Sequence, residues 1–218
     1  MTIAGRRRGP SKGDLRERAL LKAARTIFRE KPLSEVTVDE LAGAAGIARS
    51  GFYFYFESKQ ALLAALCEQV IGESFEDMAL WLESDGPSRS ALKAGLTPSL
   101  ARWKVDGRWM REAFVNPDPG PELAAIREQY MERGRSAIAA RIARDADGGI
   151  AQSGPPELLA RMVITLHSST FAHVFAEPEA HPDEVVLDTL VDAFLRVIYG
   201  QVDTSHDAAD EPLSARSG

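Results

Sequence analysis

The sequence lacks most features that would mark a membrane, secreted or metal-binding protein. Cys67 is its only cysteine, so neither an intramolecular disulfide framework nor a cysteine-rich zinc site can form. No apolar run approaches the roughly 20 residues of a membrane-spanning helix, and the first residues lack the apolar stretch of a secretory signal. With 218 residues, 27% charged and 44% hydrophobic, we expect a soluble cytoplasmic protein of one or two domains.

Acidic residues are scarce in the first part of the chain, although the net charge of the whole is −6. Residues 1–60 contain twelve Lys and Arg against seven Asp and Glu, a charge of +5, and the remainder carries −11. The net charge alone would argue against a nucleic-acid partner. The uneven distribution instead predicts an anionic partner for the N-terminal part only.

Strand-like alternation of apolar and polar residues is also absent, and helical periodicity runs through almost the whole chain. We therefore predict an all-α fold of about nine helices. They are expected at about 14–30, 37–44, 48–54, 58–83, 88–106, 108–114, 120–146, 156–175 and 183–199. Residues 1–12 are predicted to form a disordered basic arm, and residues 201–218 a disordered polar tail.

The strongest local pattern lies in residues 37–56, TVDELAGAAGIARSGFYFYF. Thr37 and Glu40 have the spacing of a capping box, and Gly46 supplies a turn between two short helices. Ile47 and Phe52 are expected to fill the angle between these helices. The order of elements is typical of a helix-turn-helix unit, whose second helix enters the major groove of DNA. A packed three-helix unit with no role in nucleic-acid binding stays an alternative.

The same region resembles the TetR family of bacterial repressors. The matching residues are 37–42 (TVDELA), 45–47 (AGI), 52–56 (FYFYF) and 58–59 (SK). The aromatic run, together with residues 187–191 (LDTLV) and 198–200 (IYG), is similar to the ethionamide-resistance repressor branch, which the middle of the chain matches only loosely. The resemblance implies a helix-turn-helix domain over residues 13–57 and a ligand-binding and dimerisation domain over residues 58–200.

Carried over residue by residue, the resemblance implies a DNA-binding surface. Its members are Thr37, Arg49, Ser50, Gly51, Tyr53, Tyr55 and Lys59. Arg49 is the best candidate for reading a base, because a guanidinium pairs with guanine in bidentate fashion. Thr37 and Lys59 are implied to contact phosphates, which set affinity and register rather than sequence preference.

Two positions depart from the family's usual pattern. Ala48 stands where Ser or Thr normally caps the recognition helix, a loss of about 1 kcal/mol. Gly51 stands where a longer side chain often touches DNA, so specificity is expected to depend more on Arg49, Ser50 and the basic arm. The arginines of the arm (Arg6, Arg7 and Arg8) either enter a minor groove or add only salt-dependent affinity.

For the C-terminal part, the resemblance implies a homodimer formed by the last two helices. Residues 156–175 and 183–199 are apolar on more than one face. A helix of this kind packs both on its own core and on something else. A dimer interface with two helices from each subunit fits this pattern, and a fully internal helix is the alternative.

The resemblance further implies a cavity for a small hydrophobic effector. The candidate residues, drawn partly from a loose alignment with the ethionamide-resistance branch, are Leu92, Gly95, Ser99, Trp103, Trp109, Met131, Ile138, Ile164, His167, Phe171 and Phe194. A plain core position is the alternative for each of them. His167 is the sharpest candidate, as a polar anchor in an apolar cavity; a core histidine bonded to a backbone carbonyl is its alternative.

No catalytic, cofactor or metal pattern is found. His167 and His173 are six residues apart and point to different sides of a helix, and no HExxH, phosphate loop or nucleophile elbow occurs. We therefore predict a non-enzymatic, ligand-responsive repressor that binds a palindromic double-stranded DNA operator as a homodimer. The alternatives are a TetR-like activator without a physiological ligand and a soluble carrier of apolar molecules.

Overall fold

The computed structural model describes residues 11–150 and 154–200, which contain eight α-helices and no β-strand. The helices are α1 (Lys12–Glu30), α2 (Val38–Ala44), α3 (Arg49–Tyr55), α4 (Lys59–Glu83), α5 (Arg89–Phe114), α6 (Pro121–Asp147), α7 (Pro156–Ala176) and α8 (Asp183–Tyr199), with a 3-10 turn at Leu33–Glu35. None of them is long and apolar enough to cross a membrane. The all-α prediction is confirmed. The tail and the first ten residues of the predicted arm lie outside the described residues.

The N-terminal end of α1 is fixed by a capping box. Ser11 Oγ accepts a hydrogen bond from the backbone N–H of Asp14 at 3.1 Å, and the Asp14 carboxylate accepts one from the backbone N–H of Ser11 at 2.8 Å. Two free N–H groups are satisfied reciprocally in this way. The predicted arm of residues 1–12 therefore ends too late, because Ser11 is the N-cap of α1 and Lys12 is its first residue.

At α2 only half of the predicted capping box forms. Thr37 Oγ accepts from the backbone N–H of Glu40 at 3.2 Å. The Glu40 carboxylate accepts from Lys31 Nζ at 2.6 Å instead of reaching back to the cap. This ion pair ties the end of α1 to the first turn of α2.

The helix α5 is continuous, so the predicted separation into helices at 88–106 and 108–114 is wrong. The two predicted ranges are separated at Gly107, and a glycine inside a helix costs about 1 kcal/mol relative to alanine. A Cβ at this position would lie 2.9 Å from the Cβ of Phe175 and would overlap its ring. Gly107 thus permits the close approach of α5 and α7, and this packing keeps the helix intact.

We call residues 11–57 the head and residues 58–200 the body. The core of the head is made by Leu20, Ala24 and Phe28 of α1, Leu41 of α2 and Phe52 of α3, all at most 1% exposed. Burying each large side chain contributes roughly 1.5–3 kcal/mol. This core holds α2 and α3 against α1, which in turn packs on α4 and α5 of the body.

In the body, α4 packs on α5 and α6, α6 on α7, and α5 on both α7 and α8. A buried ion pair between Arg141 and Asp145 closes one end of the body. Arg141 also donates to the carbonyls of Trp81 and Gly86 at 3.0 and 2.7 Å, and the Tyr199 hydroxyl donates to Asp145 at 2.5 Å. These bonds join the ends of α4, α6 and α8 at this end of the body.

Candidate functional site

The recognition helix α3 presents a polar and aromatic face outward. Arg49, Ser50 and Tyr53 are exposed, whereas Phe52 is fully buried and packs edge-on against Tyr53. Ala48 occupies the N-cap position, where its methyl group cannot accept a hydrogen bond from the first turn. The first turn of α3 therefore has free N–H groups on the exposed side of the head.

Arg49 is held between α2 and α3. Its guanidinium forms an ion pair with Asp39 in the first turn of α2, and its carbon Cζ lies 5.8 Å from the centre of the Tyr53 ring. The hydrogen bond with Asp39 raises the pKa of Arg49. The Arg49 side chain remains 56% exposed, so it can still reach a ligand outside the head.

Lys59 is surrounded by backbone carbonyl groups of the head, whereas the resemblance implies that it contacts a DNA phosphate. Its Nζ donates to the carbonyl oxygens of Leu33 at 2.6 Å, Val36 at 2.8 Å and Ser34 at 3.4 Å. An ammonium group has three N–H donors, and all three are engaged by the segment that leads to Thr37. Lys59 thus supports this segment, and its contact with a phosphate stays a prediction.

The remaining predicted DNA-binding residues are close to this face. Thr37 is exposed at the start of α2, and Tyr55 is half-buried. Gly51 is half-buried too, and a Cβ there would have the ordinary contact distance of 3.6 Å to Ile47. The face therefore has room for a larger residue at position 51.

Phe54 is an exposed residue that the sequence analysis did not select. Its side chain is 82% exposed, and its ring lies 5.1 Å from that of Tyr55. Helical periodicity could have identified it, because Phe52 and Phe56 point inward at a spacing of four and Phe54 lies between them on the opposite side. An aromatic ring in this place adds an apolar surface to the recognition helix.

A cavity of about 90 Å³ lies inside the body between α4, α5, α6, α7 and α8. Six of the predicted effector residues line it: Ser99, Met131, Ile138, Ile164, His167 and Phe194. The sequence analysis missed the other lining residues, namely Ser74, Phe75, Met78, Leu82, Leu96, Tyr130, Gly134, Ala137 and Val163. Three of the four on α4 could have been found from their spacing, because Ser74, Met78 and Leu82 recur every fourth residue on one face.

His167 is the polar centre of this cavity. Its Nε2 lies 2.9 Å from Ser99 Oγ, and its ring packs edge-on against Phe171 at 4.7 Å. Burial, followed by the positive charge of Arg102, lowers the pKa of His167 to about 4. The ring is therefore neutral at pH 7, and its hydrogen-bonding partner is a side-chain hydroxyl rather than a backbone carbonyl.

Five predicted effector residues do not line the main cavity. Trp103 borders a small adjoining space that shares Ser99 and His167 with it. Leu92 is fully buried in the core. Phe171 packs against the ring of His167, which lines the cavity.

Gly95 and Trp109 have other packing roles. A Cβ on Gly95 would lie 2.6 Å from Met78 Sδ, so this glycine allows close packing of α5 on α4. The Trp109 indole Nε1 donates to Asp106, one turn earlier on α5, at 3.2 Å. Both residues lie on α5, and neither lines the cavity.

The outer face of α7 carries apolar side chains that nothing covers in the single chain. Leu158, Met162 and Leu166 recur every fourth residue and are 53%, 44% and 37% exposed. Val185 on α8 is 51% exposed. These four residues are hereafter called the α7–α8 face.

Within residues 11–150 and 154–200, no three His, Cys, Asp or Glu side chains are grouped as metal ligands.

Comparison with known proteins agrees with this geometry. Residues 20–66 match the family described as bacterial regulatory proteins, tetR family. The HTH-type transcriptional regulator EthR of Mycobacterium tuberculosis is 31% identical over 203 residues, 90% of this chain and 93% of that protein. EthR of Mycolicibacterium smegmatis is 33% identical over 207 residues, covering 91% and 93%. The solved FadR of Bacillus subtilis, in complex with stearoyl-CoA, covers 85% of this chain and 99% of its own with a TM-score of 0.67 at 16% identity.

The chain is a DNA-binding regulator of transcription and belongs to the TetR family. Within that family it lies in the EthR branch, since its similarity to both EthR proteins spans nearly the whole chain. Both relatives are named as transcriptional regulators and neither as an enzyme. The likeness to FadR, at 16% identity, shows the shared fold alone.

Proposed function

We propose that the protein is a ligand-responsive repressor, not an enzyme, that acts in the cytoplasm. As a homodimer it binds a palindromic DNA operator, and a small hydrophobic effector releases it. The observation that carries this proposal is the position of α4. This helix begins directly after the recognition unit and also supplies Ser74, Phe75, Met78 and Leu82 to the cavity wall.

On the DNA side, the proposal assigns base reading to Arg49 and backbone contacts to the surrounding polar residues. An arginine that pairs with guanine O6 and N7 discriminates against a wrong base by about 1–3 kcal/mol. Ser50, Tyr53 and Thr37 are exposed beside it and can donate to phosphates, which fix the register of the protein on the duplex. Phe54 is proposed to add an apolar contact, such as one with a thymine methyl group.

On the effector side, the proposal assigns apolar contacts to the cavity and one polar contact to His167 and Ser99. A volume of 90 Å³ holds only a small molecule unless side chains move. Met78 and Met131 are suited to such movement, because methionine side chains are flexible and adapt to their neighbours. FadR, which has the same fold, was solved with stearoyl-CoA, and this supports an effector with a substantial apolar part.

Release of DNA requires that the effector bind the DNA-incompetent arrangement more tightly than the DNA-competent one. A ligand inserted beside α4 changes the position of the helix from which the head extends. Couplings between two sites are typically about 1–3 kcal/mol, a factor of about 5–150 in affinity. Release therefore requires that the effector change the relative free energy of the two arrangements by only about 1–3 kcal/mol.

The proposed dimer is formed by α7 and α8. The α7–α8 face presents four apolar side chains that a second copy would cover. A two-fold dimer presents two recognition helices to successive major grooves about 34 Å apart, and the operator has a matching near-palindrome.

Selection of bound DNA from a random library tests the function. We expect a near-palindromic site from the wild-type chain, and a loss of preference at one base pair in each half-site for Arg49→Ala. Lys22→Ala is the matched control, since Lys22 is an exposed base of α1 and its loss should weaken binding to all sequences alike. An unchanged sequence preference in Arg49→Ala would rule out the assigned role, and no enrichment at all would rule out the repressor.

A further inference from the structure

A buried carboxylate on α5 joins the body to the head. Asp106 is 1% exposed. It accepts hydrogen bonds from Arg25 Nε and Nη2 at 3.0 and 2.7 Å, from Arg29 Nε at 2.7 Å and from Trp109 Nε1 at 3.2 Å. Both arginines lie on α1, so the bonds cross the boundary between head and body.

The two arginines keep this carboxylate ionised. Burial alone would raise the pKa of Asp106, but the hydrogen bonds from Arg25 and Arg29 outweigh this effect and lower it. A buried charge is tolerated only where it is paired and hydrogen-bonded. The three side chains therefore form a unit that is costly to separate.

The hydrogen-bonded ion pairs of Asp106 with Arg25 and Arg29 are directional, whereas the surrounding apolar contacts are not. Leu20, Ala24 and Phe28 also hold α1 in place, but apolar burial is non-directional and tolerates sliding of one helix over another. An arginine that donates two hydrogen bonds to one carboxylate fixes geometry as well as energy. On the other side of α5, the contact of Gly107 with Phe175 holds this turn against α7.

A second set of charges connects the same place to the cavity. Arg25 Nη1 lies 3.8 Å from the carboxylate of Glu73 on α4. Arg102 on α5 donates to Glu73 at 3.1 Å, to Asp77 at 2.7 Å and to Ser74 Oγ at 3.3 Å. Ser74 lines the cavity. A continuous chain of polar contacts thus runs from the cavity wall to α1 of the head.

We propose that Asp106 is a positioning residue that sets the orientation of the head relative to the body, and that Arg102 and Glu73 connect it to the cavity. An effector that moves α4 must disturb the contacts of Arg102 with Glu73 and Asp77, and through Glu73 those of Arg25. The link to an effector rests on the proposed function. The orienting role of Asp106 does not, and it is tested without DNA or ligand.

The test measures the distance between two spin labels, on Glu17→Cys of α1 and Ser90→Cys of α5, both exposed positions. Labelled chains are diluted with unlabelled ones, so that distances within one chain are recorded. The native Cys67 is buried and its pKa is raised by burial to about 12, so the reagent reacts with the introduced thiols. The doubly labelled chain with Asp106 intact should give a narrow distribution of distances between the two labels.

Asp106→Asn should broaden this distribution about twofold or shift its mean, because the amide has no negative charge and only one acceptor oxygen for the two arginines. Lys104→Gln is the matched control. Lys104 lies on α5, as Asp106 does, but its exposed ion pair is with Asp183 of α8 and does not involve the head. Arg29→Gln is the second variant, since Arg25 still neutralises Asp106 and the fold is retained. A distribution as narrow as that of the control in both variants would overturn the proposal.

DNA binding gives a second readout that a purely structural role would not produce. Affinity for the selected full site should fall on the order of tenfold to a hundredfold in Asp106→Asn, because the two heads no longer have a fixed spacing. Affinity for a single half-site should stay within about twofold, since each head is intact. Equal losses on both sites would overturn the proposal. If the wild-type chain selects no DNA, the distance measurement still decides the role of Asp106, and only the proposed function fails.

Discussion

The Arg49 guanidinium and the Asp39 carboxylate form an ion pair across α2 and α3 on the exposed side of the head. The pair orients the residue proposed to read a base, and it also competes with DNA for that residue. Both side chains are more than half exposed, so the energy of the pair is small and screened by salt. Its contribution is therefore expected to appear in DNA selectivity more than in stability.

Asp39→Asn abolishes the ion pair with Arg49. Removing the carboxylate raises the positive charge of the head and frees Arg49 to meet any phosphate. Affinity for random DNA should therefore rise severalfold at low salt, and the ratio of affinities for selected and random DNA should fall. Titrations of both DNAs over a range of salt concentrations measure these effects.

Glu57→Gln is the control for Asp39→Asn. Glu57 is an exposed acid just after α3, so its loss changes the charge of the head equally but leaves Arg49 paired. Glu57→Gln should raise the affinities for selected and for random DNA alike, so that the ratio of the two affinities stays the same. If Asp39→Asn also keeps the ratio, the ion pair does not orient Arg49 for reading.

Ala48→Ser is predicted to stabilise the head. A serine at the N-cap accepts a hydrogen bond from the first turn of α3, which the methyl group of Ala48 cannot do. The expected gain in free energy of unfolding is about 0.5–1 kcal/mol. Ala44→Ser is the control, because Ala44 is exposed near the end of α2 and its hydroxyl caps nothing. Urea unfolding of the three proteins measures the effect, and equal stability of all three would contradict it.

The sequence predicted these local features well because they depend on neighbours in the chain. Local pattern indicates that Phe52 points inward, as it does in the structure, and that Thr37 and Ala48 stand at cap positions. Features that depend on distant residues were not predictable in this way. The contact that Gly107 makes with Phe175, 68 residues away in the sequence, is one of them.

The same reason explains the gaps in the predicted sites. Asp106 bonds to Arg25 and Arg29 across 81 and 77 residues, and Lys59 bonds to the carbonyl of Leu33 across 26. Composition and periodicity carry no information about such pairs. Trp109 likewise looked like a cavity residue by type, whereas its indole donates to Asp106.

His167 predicts a pH dependence of stability. Its folded-state pKa of about 4 lies below the value of 6.5 of a free histidine. Below about pH 6.5 the unfolded chain therefore binds a proton that the folded chain does not, and stability is lost as the pH falls toward 4. The loss from this group is at most about 1.4 kcal/mol per pH unit.

His167→Gln keeps a hydrogen-bonding side chain opposite Ser99 but does not titrate. The difference in free energy of unfolding between wild type and this variant should change with pH between 6.5 and 4. His173→Gln is the control, since the His173 side chain is 60% exposed on the same helix. Parallel pH profiles for wild type and His167→Gln would show that the pKa of His167 is not lowered in the folded chain.

The α7–α8 face predicts the behaviour of a dimer-breaking variant. Met162 lies between Leu158 and Leu166 on α7 and is 44% exposed in the single chain. Met162→Glu would place a charge in the centre of the proposed interface, where it has no partner, and burying such a charge costs several kcal/mol. Sedimentation velocity should show a shift from dimer to monomer, and affinity for the selected full site should fall with it.

Leu80→Glu serves as the control for this variant. Leu80 is 62% exposed on α4, so the same change there adds a charge to an exposed apolar position outside the α7–α8 face. It should sediment as the wild type does. Met162→Glu should also keep its helical content, because the residue is exposed in the folded chain and contributes little to the core. A dimer that survives in Met162→Glu would place the interface elsewhere and would remove the basis for the assumed spacing of the two heads.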